Sequence, residues 1–166
     1  LWDLVQDLGI SIHWYAGKLR GFSGEDHIEE LRNFITWAEA HPDIPSILTH
    51  ALATIHLNKD KPERFTIPEE LFTLMNFPNW HMELMLHLMA YDIEFPPYEQ
   101  NLQKIVTQLV DNIGADRLVW GSDMPACERT VTYKQSMILF QTQCDFLTNE
   151  QRDLIMGGNL SRLYPI

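Results

Sequence analysis

Short apolar runs alternate with longer amphipathic ones along this chain, and few architectures accept that order. Leu1, Leu4, Val5 and Leu8 share one face of an opening helix, which Gly9 stops. Ile10 to Tyr15 reads as a strand, and a helix with Ile28, Leu31, Ile35 and Ala38 inside follows to Ala40. Pro42 and Pro45 break that helix before a second strand, Ser46 to His50. Pro68, Glu69 and Glu70 start another helix, with proline and acids in its first turn. Residues 80 to 89 alternate, His81, Glu83, Met85 and His87 against Trp80, Met82, Leu84 and Leu86, and the first half is a third strand. A helix over 99–112 places Leu102, Ile105, Val106, Leu109, Val110 and Ile113 inside. Leu118 to Trp120 is the fourth strand, apolar throughout and so covered on both faces. Helices over 131–143 and from Thr148 onward follow, and Gly157 and Gly158 end the latter. Strand–helix alternation predicts a parallel sheet, either four units of an eight-stranded barrel or a small open sheet. No glycine-rich phosphate loop follows any strand, which argues against a nucleotide-binding sheet.

Bulk properties narrow the partners. The 166 residues carry a formal net charge of −11, which disfavours nucleic acid and anionic membranes. With 45% hydrophobic and 21% charged residues the chain has the composition of a globular protein. It holds no apolar run of transmembrane length and no visible signal peptide. Cys127 and Cys144 are far apart and form no CxxC, so reduced thiols in a cytoplasmic protein are the expectation. The expected partner is a small molecule. Self-association is a further reading, because the edges of a half barrel need covering.

Three residues stand where chemistry is expected. His13, His50 and Asp123 lie at or just beyond the C-terminal ends of predicted parallel strands, the rim that carries the site in a barrel. Imidazole and carboxylate suit a divalent ion such as zinc. A histidine not on the metal can shuttle protons. Each has a plainer reading: Asp123 as a cap of the next turn, the histidines as hydrogen-bonded core residues. Arg129 can bind a substrate carboxylate or pair with Glu128, and Trp14 can contact substrate or pack.

Arg117 to Pro125, read RLVWGSDMP, resembles the last-strand signature of the amidohydrolase-related metal-dependent hydrolases, amidohydrolase family 2. Residues 155 to 164, IMGGNLSRLY, are similar to that family's closing element, and the segments ending in His13 and His50 resemble its strands 5 and 6. The resemblance implies a TIM-barrel (β/α)8 fold, with residues 1–166 forming strands 5–8 and their helices, the C-terminal part of a single domain. It implies one divalent metal, zinc first with manganese or iron as alternatives. His13 and Asp123 would be metal ligands, and His50 and Asp123 catalytic. The activity implied is hydrolysis of a small lactone, amide or carboxylated substrate through a metal-activated water. The alternatives are non-oxidative decarboxylation and a catalytically incomplete α/β fragment. The sequence departs from the family in two places. It contains no H-x-H pair, which together with the helix-first start points to a C-terminal half, itself inactive, rather than a degenerate relative. Ala51 and Leu52 follow His50 where the family usually has an apolar residue and glycine.

Overall fold

The computed structural model describes residues 1–16, 24–57, 65–86, 102–129 and 131–164. The chain divides into two compact units: residues 1–56 with 66–83, and residues 57–65 with 84–166. The charged loop expected over 59–64, His87, and the start of the helix expected at residue 99 lie outside the described residues.

The first unit opens with α1 (Trp2–Asp7) and β1 (Ile12–Tyr15). Gly9 takes a left-handed φ of 62°, and the Ile10 N–H turns back to the Val5 carbonyl at 3.1 Å. Strand geometry therefore starts at Ile12, two residues later than expected. Of the expected apolar stripe of α1, Leu1, Leu4 and Leu8 are exposed and Val5 is half-buried. Its inner side is instead Trp2, whose ring meets Trp37 at 5.3 Å and Trp14 at 6.3 Å. The large indole takes the helix-facing position because it removes more apolar surface from water than a leucine can.

Helix α2 (Gly24–Ala40) buries Leu31 and Ala38 and leads to β2 (Ser46–Thr49). The short strands β3 (His56–Leu57) and β4 (Phe65–Thr66), helix α3 (Glu69–Met75) and β5 (Trp80–Leu84) follow. Arg32 of α2 donates from Nη2 to Glu70 of α3 at 2.8 Å across the exposed side. β2 runs parallel to β1, with Ile12 opposite Ser46 and Tyr15 opposite Thr49. It also runs parallel to β5, with Ser46 opposite Trp80 and Leu48 opposite Met82. Trp80, Met82 and Leu84 are fully buried, as strand alternation predicts for one side of β5.

In the second unit α4 (Leu102–Ile113) buries Leu102, Ile105, Val106 and Leu109 of the expected inner face, while Val110 and Ile113 are half-buried. A turn at Ala115–Arg117 leads into β6 (Leu118–Trp120). Leu118 and Val119 are buried on opposite faces of this strand, and Gly121 N–H donates to the Leu84 carbonyl at 3.2 Å. Helices α5 (Tyr133–Gln143), α6 (Asn149–Asp153) and α7 (Asn159–Leu163) complete the unit. Thr148 and Gln151 cap α6 reciprocally, and Thr132 and Gln135 do the same for α5. No helix among the described residues is long and apolar enough to cross a membrane.

Candidate active-site residues

β1 separates two kinds of chemistry by simple alternation. Ile12 and Trp14 are half-buried, while His13 and Tyr15 are exposed. Trp14 turns toward α2: its ring lies 4.7 Å from Trp37, 5.3 Å from Phe34 and 6.0 Å from Trp80. Its Nε1 donates to Ser46 Oγ at 3.1 Å. The indole is thus engaged in packing on the helix-covered side. Successive strand residues point to opposite faces, so His13 and Tyr15 stand on the other side of the sheet.

Register extends that second face across three strands. His13 pairs with Ile47, and Ile47 pairs with His81. Paired residues in a parallel ladder share a face, so His13, Ile47 and His81 form one row, with His13 and His81 about 10 Å apart at the backbone. Glu83, two residues after His81, lies on the same face and is half-buried. His81 and Glu83 were not among the expected site residues. Alternation in the sequence pairs them with each other, but only the register aligns them with His13.

The ends of β1 and β2 are tied together just below His50. Thr49 Oγ1 donates to the Trp14 carbonyl at 3.0 Å, and Ala16 N–H donates to the Thr49 carbonyl at 2.9 Å. His50 then leaves the strand with φ 56° and ψ 17°. The expected strand therefore stops one residue earlier, at Thr49. Left-handed backbone costs a residue with a Cβ about 1–2 kcal/mol. His50 precedes the helical turn Ala51–Thr54, yet its side chain makes no capping hydrogen bond there. Its half-buried imidazole instead meets the Tyr15 ring, with centroids 4.6 Å apart and planes inclined by 55°.

In the second unit the chain turns after β6. Asp123 adopts φ 52°, and the Met124–Pro125 bond is cis. The Asp123 carbonyl accepts the Cys127 N–H at 2.8 Å, and Ser122 Oγ accepts the Met124 N–H at 3.3 Å. These bonds hold Asp123, half-buried, at the start of the turn Ala126–Arg129. Arg129 ends that turn with its side chain in solvent. Cys127 is buried, and its Sγ lies 3.1 Å from Met124 Sδ. Burial raises the Cys127 pKa, and the nearby Asp123 and Glu128 charges raise it further. A thiol held neutral in this way is a poor nucleophile.

His50 and Asp123 are the two non-glycine residues with positive φ among the described residues. Each follows the end of a strand, β2 for His50 and β6 for Asp123. Histidine and carboxylate donors suit a divalent ion in kind. Among the described residues no group of three or more His, Cys, Asp or Glu side chains is placed to hold a metal.

The closing element has a different part to play. Asn159 is buried, and its Nδ2 donates to the carbonyls of Ala115 at 2.8 Å and Leu118 at 2.7 Å. The similar tail motif thus secures the entry into β6 at Leu118, upstream of Asp123 on the same stretch of chain.

The chain belongs to the amidohydrolase family: the family model described as "Amidohydrolase" matches residues 1–166. Among solved structures it is similar to an amidohydrolase from Burkholderia multivorans with bound zinc. The identity is 17% and the TM-score 0.69, covering 99% of this chain and 56% of that one. It is also similar to a probable 2-pyrone-4,6-dicarboxylic acid hydrolase from Acinetobacter baumannii with citric acid bound, at 12% identity and TM-score 0.62, covering 97% and 54%. A third is a 2,6-dihydroxybenzoate decarboxylase complexed with 2,6-dihydroxybenzoate, at 16% identity and TM-score 0.60, covering 99% and 53%. No curated protein matches the chain. The chain spans about half the length of these solved structures. The fold is accordingly mixed α/β with a parallel sheet, consistent with part of a TIM barrel.

Proposed function

We propose that this chain contributes to a metal-dependent hydrolase acting on a small lactone, amide or carboxylated substrate. The observation that carries the reading is the left-handed backbone at both His50 and Asp123. Such conformations persist where the surrounding structure over-determines them, and they concentrate at functional sites. His50 is assigned proton transfer to or from the reacting group, and Asp123 accepts a proton from the attacking water. His13 and Asp123 are assigned as ligands of a divalent ion, zinc first and manganese or iron as alternatives, with further ligands from outside the described residues. That ion would supply a water of lowered pKa. Arg129, exposed at the end of its turn, is free to swing onto a substrate carboxylate. Trp14 supports the site from the helix side by packing rather than by touching substrate. The two buried cysteines suit a reducing compartment such as the cytoplasm.

The similarity to a decarboxylase of the same fold supports a second reading, non-oxidative loss of CO2 from a carboxylated substrate. A screen of lactones, amides and aromatic or enol carboxylates on the full-length protein, following acid release and CO2 release separately, distinguishes the two. Elemental analysis of the same preparation identifies the metal. Asp123→Asn and His13→Ala variants are expected to lose metal and activity together. Full activity in both variants overturns the assignment.

A further inference from the structure

Tyr15 is a large aromatic residue left 54% exposed at the end of a strand, and its ring rests on one particular imidazole. Three facts bear on what that contact does. Tyr15 shares its sheet face with His13, away from the aromatic cluster formed by Trp14, Phe34, Trp37 and Trp80. It therefore adds nothing to that core. His50 makes no side-chain capping hydrogen bond to the turn it precedes. And the cross-strand bonds of Thr49 with Trp14 and Ala16 hold the backbones of Tyr15 and His50 in fixed relation.

We propose that Tyr15 is a positioning residue for His50: its ring walls one side of the imidazole and selects the rotamer that faces the sheet surface carrying His13. An imidazole rotates about two side-chain bonds, and a group that transfers a proton must be held within hydrogen-bond reach of its target. A tilted ring at 4.6 Å removes part of that freedom without competing for either ring nitrogen, as a hydrogen-bonding partner would. The contact depends on the ring and not on the hydroxyl, so phenylalanine preserves it and leucine does not. The catalytic consequence rests on the proposed role of His50, whereas the contact itself does not.

The test uses the full-length protein with Tyr15→Leu and Tyr15→Phe variants. Because Tyr15 is half in solvent, neither substitution threatens the fold. The Cε1–H resonance of His50, assigned by its loss in His50→Ala, reports the ring directly. It is expected to shift in Tyr15→Leu and to hold its position in Tyr15→Phe. On a substrate found by the screen above, Tyr15→Leu is expected to lower kcat about tenfold with KM within about twofold, and Tyr15→Phe to restore it. An unchanged His50 resonance in Tyr15→Leu overturns the proposal, as does an unchanged kcat in that variant while His50→Ala is inactive. If His50→Ala itself keeps full activity, the proton-transfer role of His50 fails instead, and the resonance still decides whether Tyr15 orients the ring.

Discussion

Asn159 holds Leu118 in place from across the second unit: its Nδ2 donates to the Leu118 carbonyl at 2.7 Å, where the chain enters β6. The same amide reaches the Ala115 carbonyl at 2.8 Å, so one side chain serves two buried acceptors. Removing it leaves both without that donor, and a buried polar group deprived of its partner costs about 1–3 kcal/mol. Asn159→Leu is expected to destabilise the protein by about 2–4 kcal/mol, as read by urea denaturation. A loss below about 0.5 kcal/mol, the level of an ordinary surface change, would show that the clamp does not matter.

His50 offers a separation of stability from activity. Asparagine tolerates left-handed backbone at least as well as histidine, so His50→Asn keeps the local conformation. Its melting temperature is expected to match or slightly exceed that of the parent, while activity on the screened substrate is lost. A variant that is both stable and fully active would remove His50 from the mechanism.

Gly114 precedes the turn into β6 with φ 94° and ψ 141°, a region open essentially to glycine alone. Gly114→Ala is expected to cost about 1–3 kcal/mol in chemical denaturation. By contrast Gly9, also at positive φ, has open space around an added Cβ, so only the backbone term applies to Gly9→Ala.

Cys144 gives the chain an alkaline limit. Burial pushes its thiol from 9.0 up to about 12, with Arg152 opposing and Asp145 adding to the shift. The unfolded thiol releases its proton near 9 and the folded one near 12, so between these values the native state binds more protons. Stability linked to Cys144 is full below about pH 9 and falls as pH rises toward about 12. Denaturation midpoints measured across that range are expected to fall less steeply in Cys144→Ala. Thiol reagents at pH 8 are expected to label Cys144 only after unfolding.

Particular elements show where sequence reasoning succeeds. β6 has the expected boundaries because three apolar residues between Arg117 and Gly121 leave no other buried strand to make. The α6 cap was visible because Thr148 and Gln151 carry its chemistry within four residues. The opening helix shows the opposite. Its periodic leucines mark a face that stays in solvent, while Trp2 makes the contacts, because its partners Trp14 and Trp37 come from elements the local pattern does not contain. Trp14 and His13 are adjacent in sequence, and which of them faced the helices was decided by the packing of Phe34 and Trp37.

The sequence alone determined the order of strands and helices and the family, and it singled out His13, His50 and Asp123 as candidates, because each is written in residue types a few positions apart. Tertiary structure decided the register that sets His81 and Glu83 on the face of His13. It also decided the left-handed turns at His50 and Asp123 and the pairing of Tyr15 with His50. These depend on hydrogen bonds and ring contacts between segments more than thirty residues apart, or on backbone angles that local propensity disfavours.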